Sequence, residues 1–350
     1  MVSALFNGKI DAYVILSPVN RFYFTNFESS FGAVVLTPFD RLFFTDPRYE
    51  GAAASALTGF KIMRTTGGDL YKDIAAELSR LKIKSVGYED NFITVSAFKA
   101  FKAAFADYKQ TAASAQIDAL RLVKSTAEIA NIAEAQRAAE RALKKVLPLL
   151  KPGITERELS AELTFEALTE GAEKTAFDTI VAFGENSAVP HHAPTNRKFE
   201  KNDIVLIDFG AKYNGYCSDM TRTFCLNADA LPPELTLVHN IVSQAQDYAL
   251  KNIKAGMTSR EADSLAREYI RANGYEHAFT HSLGHGVGLQ IHEAPRIAEN
   301  GTDLLLDGMV VTVEPGIYVE GLGGVRIEDT VVIRDGGIEN LTNFDKNLEL

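Results

Sequence analysis

Apolar residues recur at two different periods along this chain, and the alternation between the two divides it. Short β-rich runs broken by turn residues predict strands over 12–17, 33–37 and 41–45. Helical spacing over 70–81 and 95–108 predicts two helices among them, so the N-terminal third reads as a mixed α/β domain, a sheet with covering helices. Asp46-Pro47-Arg48-Tyr49 puts a charged pair and an aromatic in one turn, and reads as a structural turn with a local Asp/Arg pair. The small, polar run 112–116 reads as a linker, which places a domain boundary near Leu120.

Past that boundary the pattern repeats. Ser125-Thr126-Ala127-Glu128 is a capping box, in which a hydroxyl and a carboxylate three residues apart each satisfy a backbone N–H of the other. It predicts a long helix to about Leu150, ended by Lys151-Pro152-Gly153. A second box, Thr155 to Glu158, opens a helix that stops at Gly171. Lys254-Ala255-Gly256-Met257-Thr258-Ser259-Arg260-Glu261 echoes Lys151-Pro152-Gly153-Ile154-Thr155-Glu156-Arg157-Glu158 at an offset of 103 positions, and Gly274 stands at the same offset from Gly171. Each helical stretch is followed by strands, and 204–207 carries Asp208 much as 310–313 carries Glu314. One offset shared by two features predicts a duplicated αβ unit whose halves face each other, with a site between them that draws residues from both.

The segment 204–224 reads as two strands and a turn. Asn214-Gly215 is a favoured two-residue hairpin loop because both positions tolerate positive φ. That turn sets Tyr213 against Tyr216 and Asp219 opposite Gly210, with Asp208 on the same face. The two carboxylates become diagonal neighbours, roughly 7 to 8 Å apart at the backbone, which their side chains can span around a shared ion. From the hairpin alone, a bound metal, two protonated acids and a solvated edge all fit.

Composition narrows the classes. With 350 residues and 46% hydrophobic content there is material for a large core and, by length, two domains. A formal charge of −10 argues against a nucleic-acid surface, and no nucleic-acid partner is expected. Met1–Ile10 has no basic start before an apolar run, and no window of about 18 apolar residues exists, so neither export nor membrane insertion is expected and the location is expected to be cytoplasmic. Cys217 and Cys225, on what reads as one strand, would sit roughly 26 Å apart, beyond disulfide reach, and are expected to be reduced.

The remaining chemistry gathers late in the chain. Val325-Arg326-Ile327-Glu328 alternates, sending Arg326 and Glu328 to one face, and Glu314 ends a strand just before Pro315-Gly316. The run from His281 through His285 to His292 offers imidazoles, but Gly284, Gly286 and Gly288 argue against a helix with ligands at i and i+4. His292-Glu293 lacks the second His of H-E-x-x-H, and the glycine spacing is not that of a phosphate loop. Singly, each residue has an ordinary reading: a structural His, or a solvated Glu328-Asp329 pair.

Together, the contexts LIDFG, SDMTRTF, HSLGHGVGLQIHE, TVEPGIY and GGVRIEDT, holding Asp208, Asp219, His285, Glu314 and Glu328 in order, resemble the dinuclear metallopeptidases of the pita-bread fold. Within that family they are similar to the Xaa-Pro peptidases, prolidase and aminopeptidase P. The resemblance covers about Leu120 to the C terminus in motif detail and extends more weakly to the N-terminal domain. It implies an α+β chain: a smaller creatinase-like α/β domain over 1–120, then a pita-bread catalytic domain with pseudo-twofold αβ halves over 121–350.

The resemblance further implies two divalent ions, with Asp208 serving the first, His285 and Glu314 the second, and Asp219 and Glu328 bridging. Four carboxylates and one imidazole are a mostly hard donor set, suiting Mn or Co better than a thiolate-rich zinc site would, although Zn is possible. A metal-bridging hydroxide would be the nucleophile and Glu314 the proton shuttle. His292 would stabilise the oxyanion or leaving group, His281 and His191 would line the proline side, and Arg326 would support the acid cluster or the substrate. His191 is preferred over His192, which reads as an exposed loop residue; Arg296 either grips a substrate carboxylate or is simply exposed. The implied reaction is hydrolysis of the bond preceding proline, in Xaa-Pro dipeptides or at the amino end of longer peptides, by a homodimer. That bond lacks an N–H and has a fixed φ, so it needs a dedicated pocket. Three alternatives stand beside this. Methionine aminopeptidase shares the ligand pattern but not the extra N-terminal domain, creatine hydrolysis on this fold does not require the metals, and a non-catalytic peptide-binding module would be free to lose carboxylates that are all present here.

Overall fold

The structure is a computed structural model and describes residues 5–6, 8–66 and 68–350. Part of Met1–Ile10, the stretch weighed as an export signal, lies outside the described residues. The chain divides into two compact units, Met1–Arg121 and Leu122–Leu350.

The first unit is built on a six-stranded mixed sheet. Its order is Lys61–Arg64, Arg41–Thr45, Ala33–Leu36, Ala12–Ile15, Ser85–Tyr88, Lys109–Ala112. The central strands are buried on both faces, which is why they read as continuous apolar runs. Lys61–Arg64 and Lys109–Ala112, at the two edges, are polar and half exposed, so periodicity alone does not reveal them. The 112–116 stretch is not a linker. Ala112 closes the last strand and Ser114–Asp118 is a short helix, pinned because Ser114 N–H donates to Asp90 Oδ1 at 3.1 Å and Asn91 N–H donates to Ser114 Oγ at 3.0 Å. Asp46 caps helix Pro47–Ala56 by accepting from Arg48 N–H, and its carboxylate also pairs with the Arg48 guanidinium.

In the second unit, three capping boxes form as their sequences require. Ser125/Glu128, Thr155/Glu158 and Thr258/Glu261 open helices Thr126–Val146, Glu156–Thr169 and Ser259–Ala272. Gly171 and Gly274 follow the latter two with φ of 99° and 86°, a backbone that favours glycine. Each half has its own apolar core. Leu143, Leu159 and Leu163 pack with Val205, Ile207 and Phe224 in one, and Val238, Ala262 and Ile270 pack with Val311, Val313 and Val331 in the other. The first half carries the antiparallel sheet Met220–Phe224, Val205–Phe209, Ile180–Phe183. The second carries five strands in the order Glu293–Ile297, Gly284–Gly286, Val310–Val313, Asp329–Arg334, Gly337–Asn340.

The halves are stitched at Arg222, which is 1% exposed. Its guanidinium donates to Asp329 Oδ1 at 2.8 Å, to the Glu328 carbonyl at 2.6 Å and to the Phe344 carbonyl at 2.8 Å.

The 204–224 hairpin keeps its register but not its continuity. Tyr213 faces Tyr216, and the same register sets Asp208 against Thr221 and Phe209 against Met220. Instead of two strands there are four, Val205–Phe209, Ala211–Tyr213, Tyr216–Cys217 and Met220–Phe224, because the ladder breaks at Gly210. There the backbone passes so close to Ser218 that a Cβ would lie 1.9 Å from its carbonyl oxygen. Cys217 and Cys225 are both free and buried. Among the described residues no helix is long and apolar enough to cross a membrane. Gly210→Ala is expected to lower the unfolding free energy in urea by about 3 kcal/mol, and an unchanged midpoint would mean the strands do not approach this closely.

Candidate active site

Strand ends deliver the acids to one place. Asp208 sits on Val205–Phe209, Asp219 in the break before Met220–Phe224, Glu314 just past Val310–Val313, and Glu328 between Gly323–Arg326 and Asp329–Arg334. With His285, His281, His292, His191 and Arg326 they line a cavity of about 860 Å³. Asp219 and Glu328 are buried, at 4% and 1% exposure. Hydroxyls hold two of the acids: Thr221 Oγ1 donates to Glu328 Oε2 at 2.6 Å and Thr312 Oγ1 to Glu314 Oε1 at 3.0 Å.

The histidine tautomers follow from their neighbours. His285 Nδ1 lies 3.1 Å from the Gly286 carbonyl oxygen, which only accepts, so Nδ1 carries the proton and Nε2 presents a lone pair. That lone pair points among acids, 3.3 Å from Glu314 Oε1 and 3.6 Å from Asp219 Oδ2. His281 Nδ1 donates likewise to the Ser282 carbonyl at 2.8 Å, and its Nε2 accepts from the Tyr318 hydroxyl at 2.9 Å. The same hydroxyl accepts from Arg326 Nη1 at 2.7 Å, while Arg326 Nη2 donates to Asp208 Oδ2 at 2.8 Å. Arg326 therefore braces the acid cluster through Asp208. The His292 ring stands edge-on to His285 with centroids 4.4 Å apart. Next to it, Glu293 pairs with Lys124 Nζ at 2.7 Å, their side chains 6% and 2% exposed.

His191 and Arg296 are exposed residues on the cavity wall. His192 is not an exposed loop residue: it also lines the cavity, and its Nε2 lies 2.8 Å from the carboxylate of buried Glu156. Tyr318 is the residue that sequence reasoning missed inside TVEPGIY. Its signal was its pairing with Gly324 across a hairpin, where a Cβ would lie 2.7 Å from the tyrosine ring.

Two comparisons cover nearly the whole chain. The profile of Metallopeptidase family M24 matches residues 130–335, and that of the Creatinase/Prolidase N-terminal domain matches 3–123. The chain belongs to metallopeptidase family M24. It is 37% identical to an Xaa-Pro dipeptidase of Pyrococcus furiosus, over 99% of this chain and 98% of that protein. Among solved structures it is similar to an Xaa-Pro dipeptidase from Bacillus anthracis, with a TM-score of 0.95 and 38% identity over 99% and 98% of the two chains. An X-Pro aminopeptidase from Thermotoga maritima matches with a TM-score of 0.92 and 39% identity over 97% of each chain. The M24 unit thus has the pita-bread architecture, and a creatinase-type domain precedes it.

The family implies divalent metal ions, and the cavity's own atoms test the fit. Asp208 Oδ1 and Glu328 Oε1 are buried with no hydrogen-bond partner. The His285 lone pair faces carboxylate oxygens, acceptor against acceptor, unless a proton or cation lies between. One donor atom each from Asp219, His285 and Glu328 lies within 4.8 Å of the others. Oxygen-rich donors with one imidazole suit a hard or borderline divalent cation, so the residues fit.

Without cations, Asp219, Glu314 and Glu328 titrate high. Burial raises Asp219 and Glu328 well above the carboxylate range, helped for Asp219 by Glu328, Asp208 and Glu314 and for Glu328 by Glu314 and Asp208, and burial pushes Glu314 to about 8. Burial lowers His281 and His285 to about 4. A carboxyl raised on folding holds protons that the unfolded chain releases, so it loses stability as pH rises from about 4.3 toward its folded value. Histidines lowered on folding act oppositely, but only below about pH 6.5. The thermal midpoint of chelator-treated protein is therefore expected to fall from about pH 6.5 to about pH 8, and saturating Mn²⁺ to flatten that fall; a flat profile under chelation would count against a crowded acid cluster.

Proposed function

We propose that this protein hydrolyses the peptide bond preceding proline, taking as partner a small peptide with proline at the second position. The observation that carries the reading is the convergence of four carboxylates and the Nε2 lone pair of His285 on one cavity, with buried oxygens left over for cations. The names carried by similar proteins, Xaa-Pro dipeptidase and X-Pro aminopeptidase, support the choice of bond.

Asp208, Asp219, His285, Glu314 and Glu328 are assigned as the donors for two divalent ions, with Mn preferred. When bound, such ions offset the carboxylate charge, acidify a shared water and polarise the scissile carbonyl. The protein's own groups do the rest. Arg326 orients Asp208, Thr221 orients Glu328, and Thr312 orients Glu314, whose carboxylate is assigned to move the proton. Both nitrogens of His281 are engaged, so it offers substrate a ring face and no hydrogen bond. His292, beside His285, is assigned to the developing negative charge, and His191 to the proline side. Ile180, Pro190 and Ile291 supply apolar wall against which a proline ring packs.

At about 860 Å³ the cavity is large for a dipeptide, near the top of the ~300–1,000 Å³ usual for small-molecule sites, which favours a site that also admits the amino end of a longer peptide. Residues 1–120 are assigned to the creatinase-like domain and 121–350 to the catalytic domain, and the protein is proposed to act as a cytoplasmic homodimer.

Xaa-Pro dipeptides and Xaa-Pro-Yaa tripeptides assayed with Mn²⁺ are both expected to be cut, and cutting to stop on chelation. Cleavage of a Met-Ala peptide instead would transfer the reading to a methionine aminopeptidase. Asp219→Ala is expected to lower kcat/KM by about 10³-fold or more, and full activity in that variant would remove Asp219 from the site.

A further inference from the structure

The loop that brings His191 to the cavity is held by a carboxylate that the sequence presents only as an interior position of a capping box. Glu156, at the first turn of helix Glu156–Thr169, is fully buried. Its Oε1 accepts from Phe183 N–H at 2.9 Å and from Asn186 Nδ2 at 2.8 Å. Its Oε2 accepts from Thr195 N–H at 2.8 Å, from Thr195 Oγ1 at 2.6 Å and from His192 Nε2 at 2.8 Å. Burial alone would raise the Glu156 carboxyl, but the bonds from Thr195, His192, Asn186 and Phe183 outweigh it and hold the group below its ordinary value. Five converging donors require a group that only accepts. An amide of the same shape would turn its NH₂ against at least two of them, leaving buried donors unsatisfied.

These donors come from both ends of the segment 183–195. Between them run Pro190 and His191, which line the cavity, whereas Glu156 does not. No hydrogen bond of the His191 ring is found among the described residues, so its backbone sets where it stands. Other anchors of the loop are spread over several partners: Gly184 N–H donates to the Ile204 carbonyl at 2.8 Å, Arg157 N–H to the Thr195 carbonyl at 3.1 Å, Arg157 Nε to the Pro194 carbonyl at 3.2 Å and Gly324 N–H to Ser187 Oγ at 2.8 Å, and Arg326 Nη1 reaches the Pro190 carbonyl at 3.4 Å.

We propose that Glu156 is a positioning residue: through the loop 183–195 it sets His191 against the substrate without touching substrate itself. The kinetic part of the test rests on the Xaa-Pro reading above; the spectroscopic part does not. In a double-mutant cycle on an Xaa-Pro dipeptide, Glu156→Gln is expected to lower kcat/KM about 30-fold with His191 present and less than about 3-fold in the His191→Ala background. A merely structural role would take the same factor from both backgrounds, and equal losses overturn the proposal. Separately, ring ¹⁵N NMR of the ion-free protein is expected to show His192 protonated at Nε2, and Glu156→Gln to shift both the His192 and His191 signals; an unmoved His191 overturns the proposal even if no Xaa-Pro peptide is cut. Should Glu156→Gln not fold, Thr195→Val removes one donor and keeps the backbone N–H. It is expected to cost about 5-fold with the same dependence on His191, and a cost independent of His191 again overturns the proposal.

Discussion

Four carboxylates in one cavity repel each other, and burial strengthens the repulsion by removing the water that would screen it. The structure answers with donors around the rim: Arg326 on Asp208, Thr221 on Glu328 and Thr312 on Glu314. Those donors are too few to satisfy every oxygen, and Asp208 Oδ1 and Glu328 Oε1 are left buried without a hydrogen-bond partner. Much of the second unit can be understood as scaffolding that keeps like charges together against their preference. Two rigid cores flank the cavity, strand ends present the acids, and the buried Arg222–Asp329 pair ties the two halves beside Glu328.

How much of this was legible in the sequence depended on distance along the chain. The hairpin register was local, set by Asn214-Gly215, and it persists past the break at Gly210, so Asp208 and Asp219 belong to one region of one face. Helix starts were local too, because a capping box contains both of its partners. Tyr318 was missed because its hydroxyl meets His281, 37 positions away, and the glycine it faces across the hairpin, Gly324, signals a close approach but not that meeting. His192 was misread for the same reason: its partner, Glu156, lies 36 positions earlier. The 112–116 stretch failed differently. Small polar residues are as compatible with a pinned helix start as with a linker, and only Asp90 and Asn91 decide between them.

The duplicated grammar of the second unit also has limits. Helices Glu156–Thr169 and Ser259–Ala272 share caps and terminal glycines, yet the strands are divided differently, into two three-stranded sheets in one half and a five-stranded and a two-stranded sheet in the other. Local signals that open and close a helix persist in both halves, while the way the strands divide between sheets differs. The glycines near the cavity show why the divergence is bounded. A Cβ on Gly284 would lie 2.0 Å from the Thr312 carbonyl oxygen, so the strand carrying His285 can approach the strand before Glu314 only with glycine there.

The buried pair of Lys124 and Glu293 bears on how such a chain can be cut or recombined. Lys124 follows closely on the start of the second unit, and its backbone N–H donates to the Gly308 carbonyl at 2.9 Å while its ammonium neutralises a carboxylate next to His292. A shuffling event that joined a new domain just after Lys124 would take this cation from a carboxylate that is 6% exposed, and breaking a buried ion pair of this kind costs about 3–5 kcal/mol. The modular seam of the protein is thus fixed electrostatically as well as topologically, and the first few residues of the second unit travel with its active site.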